Sequence, residues 1–123
     1  MKKGMTSQEI IAMHIESDKI MEEATKQSDY KTHNREFMKR DKIHQFLAVR
    51  PDLAKEVYQE LFEHECIVSR LSAAAQCLKN GLFIEKAEDI LIMMEKDNSA
   101  GVYSLEAHMT LRVWRGEFPG KKL

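Results

Sequence analysis

Five histidines have the widest chemical range in this sequence: His14, His33, His44, His64 and His108. Two histidines one helical turn apart could grip a metal ion, and a positioned imidazole could act as a general base. No two of the five stand one turn apart, and no HExxH motif is present. His33 and His44 are three turns apart on a helix, too far to share one ion. His64, Glu65 and Cys66 are consecutive, so their side chains splay. All five histidines therefore read as solvated or core-edge side chains. There is no glycine-rich phosphate loop, and no Ser/His/Asp or Cys/His set stands in a recognisable motif. The expectation is a protein without catalytic residues, metal or cofactor, and not an enzyme.

The polar residues His33, Asn34, Asp41 and His44 fall close to the apolar face of the second helical segment. Either Asn34 bonds a neighbouring helix and fixes its register, or this face lines a groove rather than a core. Glu56, Glu60, Glu63 and Glu65 form an acidic stripe, read as a solvated face. Lys39, Arg40 and Lys42 form one basic group, and Arg112, Arg115, Lys121 and Lys122 another. The formal net charge is −1, from 19 basic and 20 acidic residues. That balance argues against a dedicated nucleic-acid binder and gives no bias toward an anionic membrane.

The elements that must position these groups are helical. The chain has 123 residues, 43% of them hydrophobic and 32% charged, which suits one globular domain. Periodicity predicts six segments. The first opens at Thr6 or Ser7, where Thr6 and Glu9 have capping-box spacing, and carries Ile10, Met13, Ser17, Ile20, Met21 and Ala24. The others run from about 30 to 48, 53 to 64, 67 to 80, 84 to 96 and 100 to 115. Arg50-Pro51-Asp52, Asn80-Gly81, Asp97-Asn98-Ser99 and Gly116 punctuate them. No segment alternates like a strand, none approaches the ~20 apolar residues that span a bilayer, and no signal peptide is read. Cys66 and Cys77 read as buried thiols in a reducing cytoplasm.

Segments three and four repeat in segments five and six at an offset of 33. Ala54, Val57, Tyr58 and Leu61 match Ala87, Ile90, Leu91 and Met94, and Ala74 and Leu78 match Ala107 and Leu111. One helical hairpin cannot cover its own apolar face, so repeated hairpins stack. The predicted organisation is a divergent first hairpin over residues 1–50, similar hairpins over 51–81 and 82–116, and a tail over 117–123.

Several stretches carry a resemblance: Asn34, Leu47 with Arg50-Pro51, Ser69-Arg70-Leu71-Ser72-Ala73-Ala74, and Arg112-Val113-Trp114-Arg115-Gly116-Glu117-Phe118. From about Asn34 to Phe118 the chain resembles an uncharacterised family of bacterial domains with a HEAT- or armadillo-like α-α superhelix. It departs where Ser69 separates Val68 from Arg70. The resemblance implies an all-α superhelix and no activity. Some HEAT-like bacterial domains act as immunity proteins beside toxins, an analogy of fold alone. The leading expectation is a protein-interaction module that binds a partner protein through the second helices of its hairpins, at Arg70, Gln76, His108 and Arg112. The alternatives are a nucleic-acid-directed repeat protein and a helical bundle that binds a small ligand on the His33, Asn34 and His44 face.

Overall fold

The first two helices start where a side chain satisfies free backbone N–H groups of the helix end. A computed structural model describes residues 4–117. Six α-helices form: α1 Ser7–Lys26, α2 Tyr30–Ala48, α3 Pro51–Phe62, α4 Ile67–Asn80, α5 Ile84–Glu95 and α6 Val102–Trp114. Among the described residues there is no strand. Phe118, Lys121 and Lys122, and with them most of the expected tail, lie outside those residues.

Thr6 caps α1 through its side chain, and Glu9 reaches back to the Thr6 backbone, so the expected capping box forms. Asp29 caps α2 by accepting from Thr32 N at 3.2 Å. Pro51 sits at the first position of α3, where its missing N–H costs nothing. Gly81 ends α4 in the left-handed region at φ 72°, which suits a residue without a Cβ. The sixth helix starts at Val102, later than expected. Asp97 accepts from Ser99 N and closes a 3-10 turn over Asn98–Ala100 first.

The 33-residue offset holds for α3 and α5 and not for α4 and α6, which start 35 and end 34 residues apart. Helices α3 and α5 both have 12 residues, and each starts and ends 33 apart. Ala54 and Ala87, Tyr58 and Leu91, Leu61 and Met94, Ala74 and Ala107, and Leu78 and Leu111 are buried in pairs. Ile90 is the exception, partly buried where Val57 is sealed.

Each helix packs on its neighbour in sequence, and α4 also meets α1 and α6. Helix α4 is the centre. Eight of its residues are buried: Val68, Ser69, Leu71, Ser72, Ala73, Ala74, Cys77 and Leu78. Alanine and serine let other helices approach closely. Cys66 and Cys77 are both buried free thiols, and burial pushes the Cys77 thiol up to about 12, so it stays protonated.

Tyr58 is sealed in this core, and its hydroxyl has no partner among the described residues. Burying an unpaired polar group costs about 1–3 kcal/mol. Tyr58→Phe should therefore leave stability unchanged or raise it by about 1 kcal/mol in urea denaturation. A clear loss would mean that the hydroxyl is bonded after all.

Candidate functional site

The polar side chains of the interior converge at one place, where α1, α2 and α4 meet. His14 and Asp18 are one turn apart on α1, and both are 0% exposed. His14 Nδ1 lies 2.5 Å from Asp18 Oδ2. Ser69 Oγ on α4 donates to the same Oδ2 at 2.8 Å, and Arg40 Nη1 on α2 donates to Oδ1 at 2.9 Å. The other edge of His14 faces His44: the two Nε2 atoms are 3.0 Å apart. Ser72 Oγ stands beside both, 3.2 Å from His44 Nε2 and 3.5 Å from His14 Nε2.

A carboxylate buried without compensation would take up a proton. Burial does push the Asp18 pKa up, but the bond and charge of His14 and the Arg40 guanidinium outweigh it and hold it below the ordinary value. His44 responds in the opposite sense. Burial, then the charges of His14 and Arg40, lower its pKa to about 2, so it is a neutral imidazole. Nearby, Ser17 on α1 donates to the Glu36 carbonyl at 3.1 Å. The Glu36 carboxylate is covered by its own neighbours on α2, Arg35 and Lys39, whose side chains lie outside it.

Arg40, His44 and Ser72 of this cluster also line a cleft of about 300 Å³. Met21 and Thr25 of α1, His33, Phe37, Arg40, Asp41 and His44 of α2, Val68, Leu71, Ser72, Ala75 and Gln76 of α4, and Tyr103, Glu106 and Thr110 of α6 line it. Apolar and polar side chains share the lining, the usual make-up of a ligand site. At the rim, burial raises the Glu106 carboxyl above its usual range, with Arg40 and His33 pulling the other way. Asp41 accepts from Gln45 at 2.8 Å.

The second helical segment thus meets its expectation in part. His33, Asp41 and His44 do share a groove wall. Asn34 does not fix a register. It is exposed, because it points one position away from the packed face. Two histidines also differ from the solvated or core-edge reading: His14 is 0% and His44 7% exposed, each held by the other and by its hydrogen bonds.

The four residues expected on the second helices do not come together. Gln76 lines the cleft. Arg70 turns away and donates to the carbonyls of His64 and Glu65 at 2.8 and 2.9 Å. His108 lies 3.1 Å from Glu95, and Arg112 pairs with Glu117 at 3.4 Å. The acidic stripe is exposed at Glu56, Glu60, Glu63 and Glu65, with Glu63 paired to Lys86 at 2.8 Å.

Sequence reasoning missed Asp18, Ser69 and Ser72. A signal existed: His14, Ser17 and Asp18 follow Ile10 at +4, +7 and +8, the positions of one buried helix face.

Comparison of the chain with protein-family models, with curated proteins and with solved structures gives no match.

Proposed function

We propose that this protein is a non-enzymatic binding module, that its helices stack as an α-α superhelix of hairpins, and that the cleft between α2, α4 and α6 is its binding site. One observation carries the reading: a 300 Å³ cleft with mixed polar and apolar walls lies against a buried, hydrogen-bonded ionic cluster. Such backing holds side chains such as Arg40 and His44 in place before any ligand arrives, which lowers the ordering cost of binding.

Asp18, His14 and Ser72 have the residue types of a hydrolytic triad, but their setting favours binding. His44 stands closer than His14 to the Ser72 hydroxyl. Ser72 lies in the middle of α4, where backbone N–H groups are spent within the helix and cannot form an oxyanion hole. The free, buried thiols suit a reducing compartment, so we place the module in the cytoplasm.

The test is a chemically mixed fragment library read by amide chemical shifts. Hits should perturb residues around Ala75, Gln76 and Thr110. Ala75→Trp, which fills the cleft, should weaken them at least about tenfold, or ~1.4 kcal/mol. Hits that cluster elsewhere, or that bind the filled variant equally well, would overturn the assignment.

A further inference from the structure

Two sets of charges stand away from the cleft, and they differ in sign. On α2, Lys31 is followed by Arg35, Met38 and Lys42 at +4, +7 and +11, so the four share one stripe of the helix. All four are exposed, and Met38, an apolar side chain, is 65% open to water. Lys31 and Lys42 have no ion pair among the described residues. Arg35 is paired with Glu36 yet remains exposed.

The opposite sign lies on α5. Phe83, Ile84, Ile90 and Met93 line an open groove there, and Met93 is 74% exposed. Glu85 and Asp89 border it, both exposed and without an ion pair among the described residues. Lys86 of the same groove is held by Glu63 at 2.8 Å. Through Lys86 and Glu63 the groove continues into the acidic stripe of α3, where Glu56 and Glu60 stand. None of these α2 and α5 residues lines the cleft. Helix α2 packs on α1 and α3, and α5 on α4 and α6. No ion pair joins α2 to α5 among the described residues, so one molecule does not bring its own two stripes together.

Each stripe offers what the other lacks. Exposed apolar side chains flanked by charge of one sign mark an interaction surface, and an amphipathic helix laid in an apolar groove is a common way to fill one. Copies of the chain hardly repel one another as wholes, because the formal net charge is −1. The local pattern of charge then decides how they meet. We propose that the α2 stripe of one copy docks on the α5 groove of a second copy. Met38 seats against Ile90 and Met93, and the basic side chains of the stripe meet Glu85, Asp89 and the acidic stripe of α3. The contact joins two different faces and does not use the cleft.

Sedimentation velocity of the full chain, at concentrations up to about 1 mM, tests it. The protein should associate in about 10 mM salt and fall back toward single chains in about 300 mM, because screening shortens the reach of exposed charges. Lys31→Glu with Lys42→Glu, and separately Glu85→Lys with Asp89→Lys, should each weaken association at least about tenfold. All four positions are exposed, so circular dichroism should show both variants folded. Mixing the two variants is the decisive arm. The unaltered groove of the first meets the unaltered α2 stripe of the second, so association should return. Met38→Ser and Met93→Ser keep every charge and should each weaken association too; they decide the matter alone if a reversal variant unfolds. A single chain at every concentration in low salt overturns the proposal and assigns the two faces to other partners. Association indifferent to the α2 variants, which would mean that α5 pairs with α5, or a mixture that stays dissociated, overturns it as well.

Discussion

Asp18→Ala should lower the free energy of unfolding by about 3–5 kcal/mol in urea denaturation, the usual loss when one partner of a buried ion pair is removed. The reason is what remains. Arg40, 12% exposed in its side chain, would keep its charge with no counter-ion. The Nδ1 of His14 and the hydroxyl of Ser69 would each lose their partner in a closed interior. A domain of this size is stable by only about 5–15 kcal/mol, so the variant would stand near the edge of folding. Glu36→Ala makes the contrast. Its partners Arg35 and Lys39 are both 62% exposed and return to water, so the loss should stay within about 1 kcal/mol. Similar losses for the two variants would refute the account of the cluster.

Stability should also fall as the solution is acidified from neutrality. His44 has an ordinary pKa of 6.5 when unfolded and about 2 when folded. The unfolded chain therefore takes up a proton below 6.5 that the native state refuses. Stability is full above 6.5 and declines as pH falls toward 2. Asp18 acts in the same direction at lower pH, because its folded pKa lies below 3.8 and its contribution is lost as pH falls through that value. Around His44 stand His14 and Asp18 from α1, Arg40 from α2, Tyr58 from α3 and Lys79 from α4. Between about pH 7 and about pH 5 the loss from His44 should be ~2 kcal/mol. Denaturation at the two values checks this, and His44→Gln should remove most of the slope whatever its own stability. An unchanged slope in that variant would assign the acid sensitivity to other groups.

The local rules of helix formation were legible and the cluster was not. Thr6 with Glu9, Asn80-Gly81 and Arg50-Pro51 act through neighbours in sequence, so their spacing carries the information. The stripe on α1 was read correctly at Ile10, Ser17, Met21 and Ala24, which are buried, and missed its polar members. Met13 fits an apolar pattern but is 42% exposed, while His14 and Asp18 occupy the buried face. A pattern that scores hydrophobicity assigns a charged residue to solvent. Asp18 is inside because Arg40 and Ser69, 22 and 51 residues away, arrive to bond it. The groove wall on α2 could be suspected from His33, Asp41 and His44, since polar groups beside an apolar face need an explanation. Its depth depends on where α4 and α6 lie, which no local spacing encodes. Asn34 looked similar on paper and points outward.

The bonds to Asp18 come from three helices, and this bears on how the molecule opens. In a row of hairpins that touch mainly their neighbours, each unit can detach with its own free energy. Here α2 cannot swing away without stranding the Asp18 charge, and α4 cannot leave without exposing Ser69 and Ser72 partners on α1 and α2. Helices α1, α2 and α4 are thereby locked into one cooperative unit. Helices α5 and α6 join the same apolar core through Leu91, Met94, Ala107 and Leu111. The walls of the cleft are thus tied in different ways: the α2 and α4 walls share buried polar bonds with α1, and the α6 wall, with Tyr103 and Glu106, rests on the apolar core.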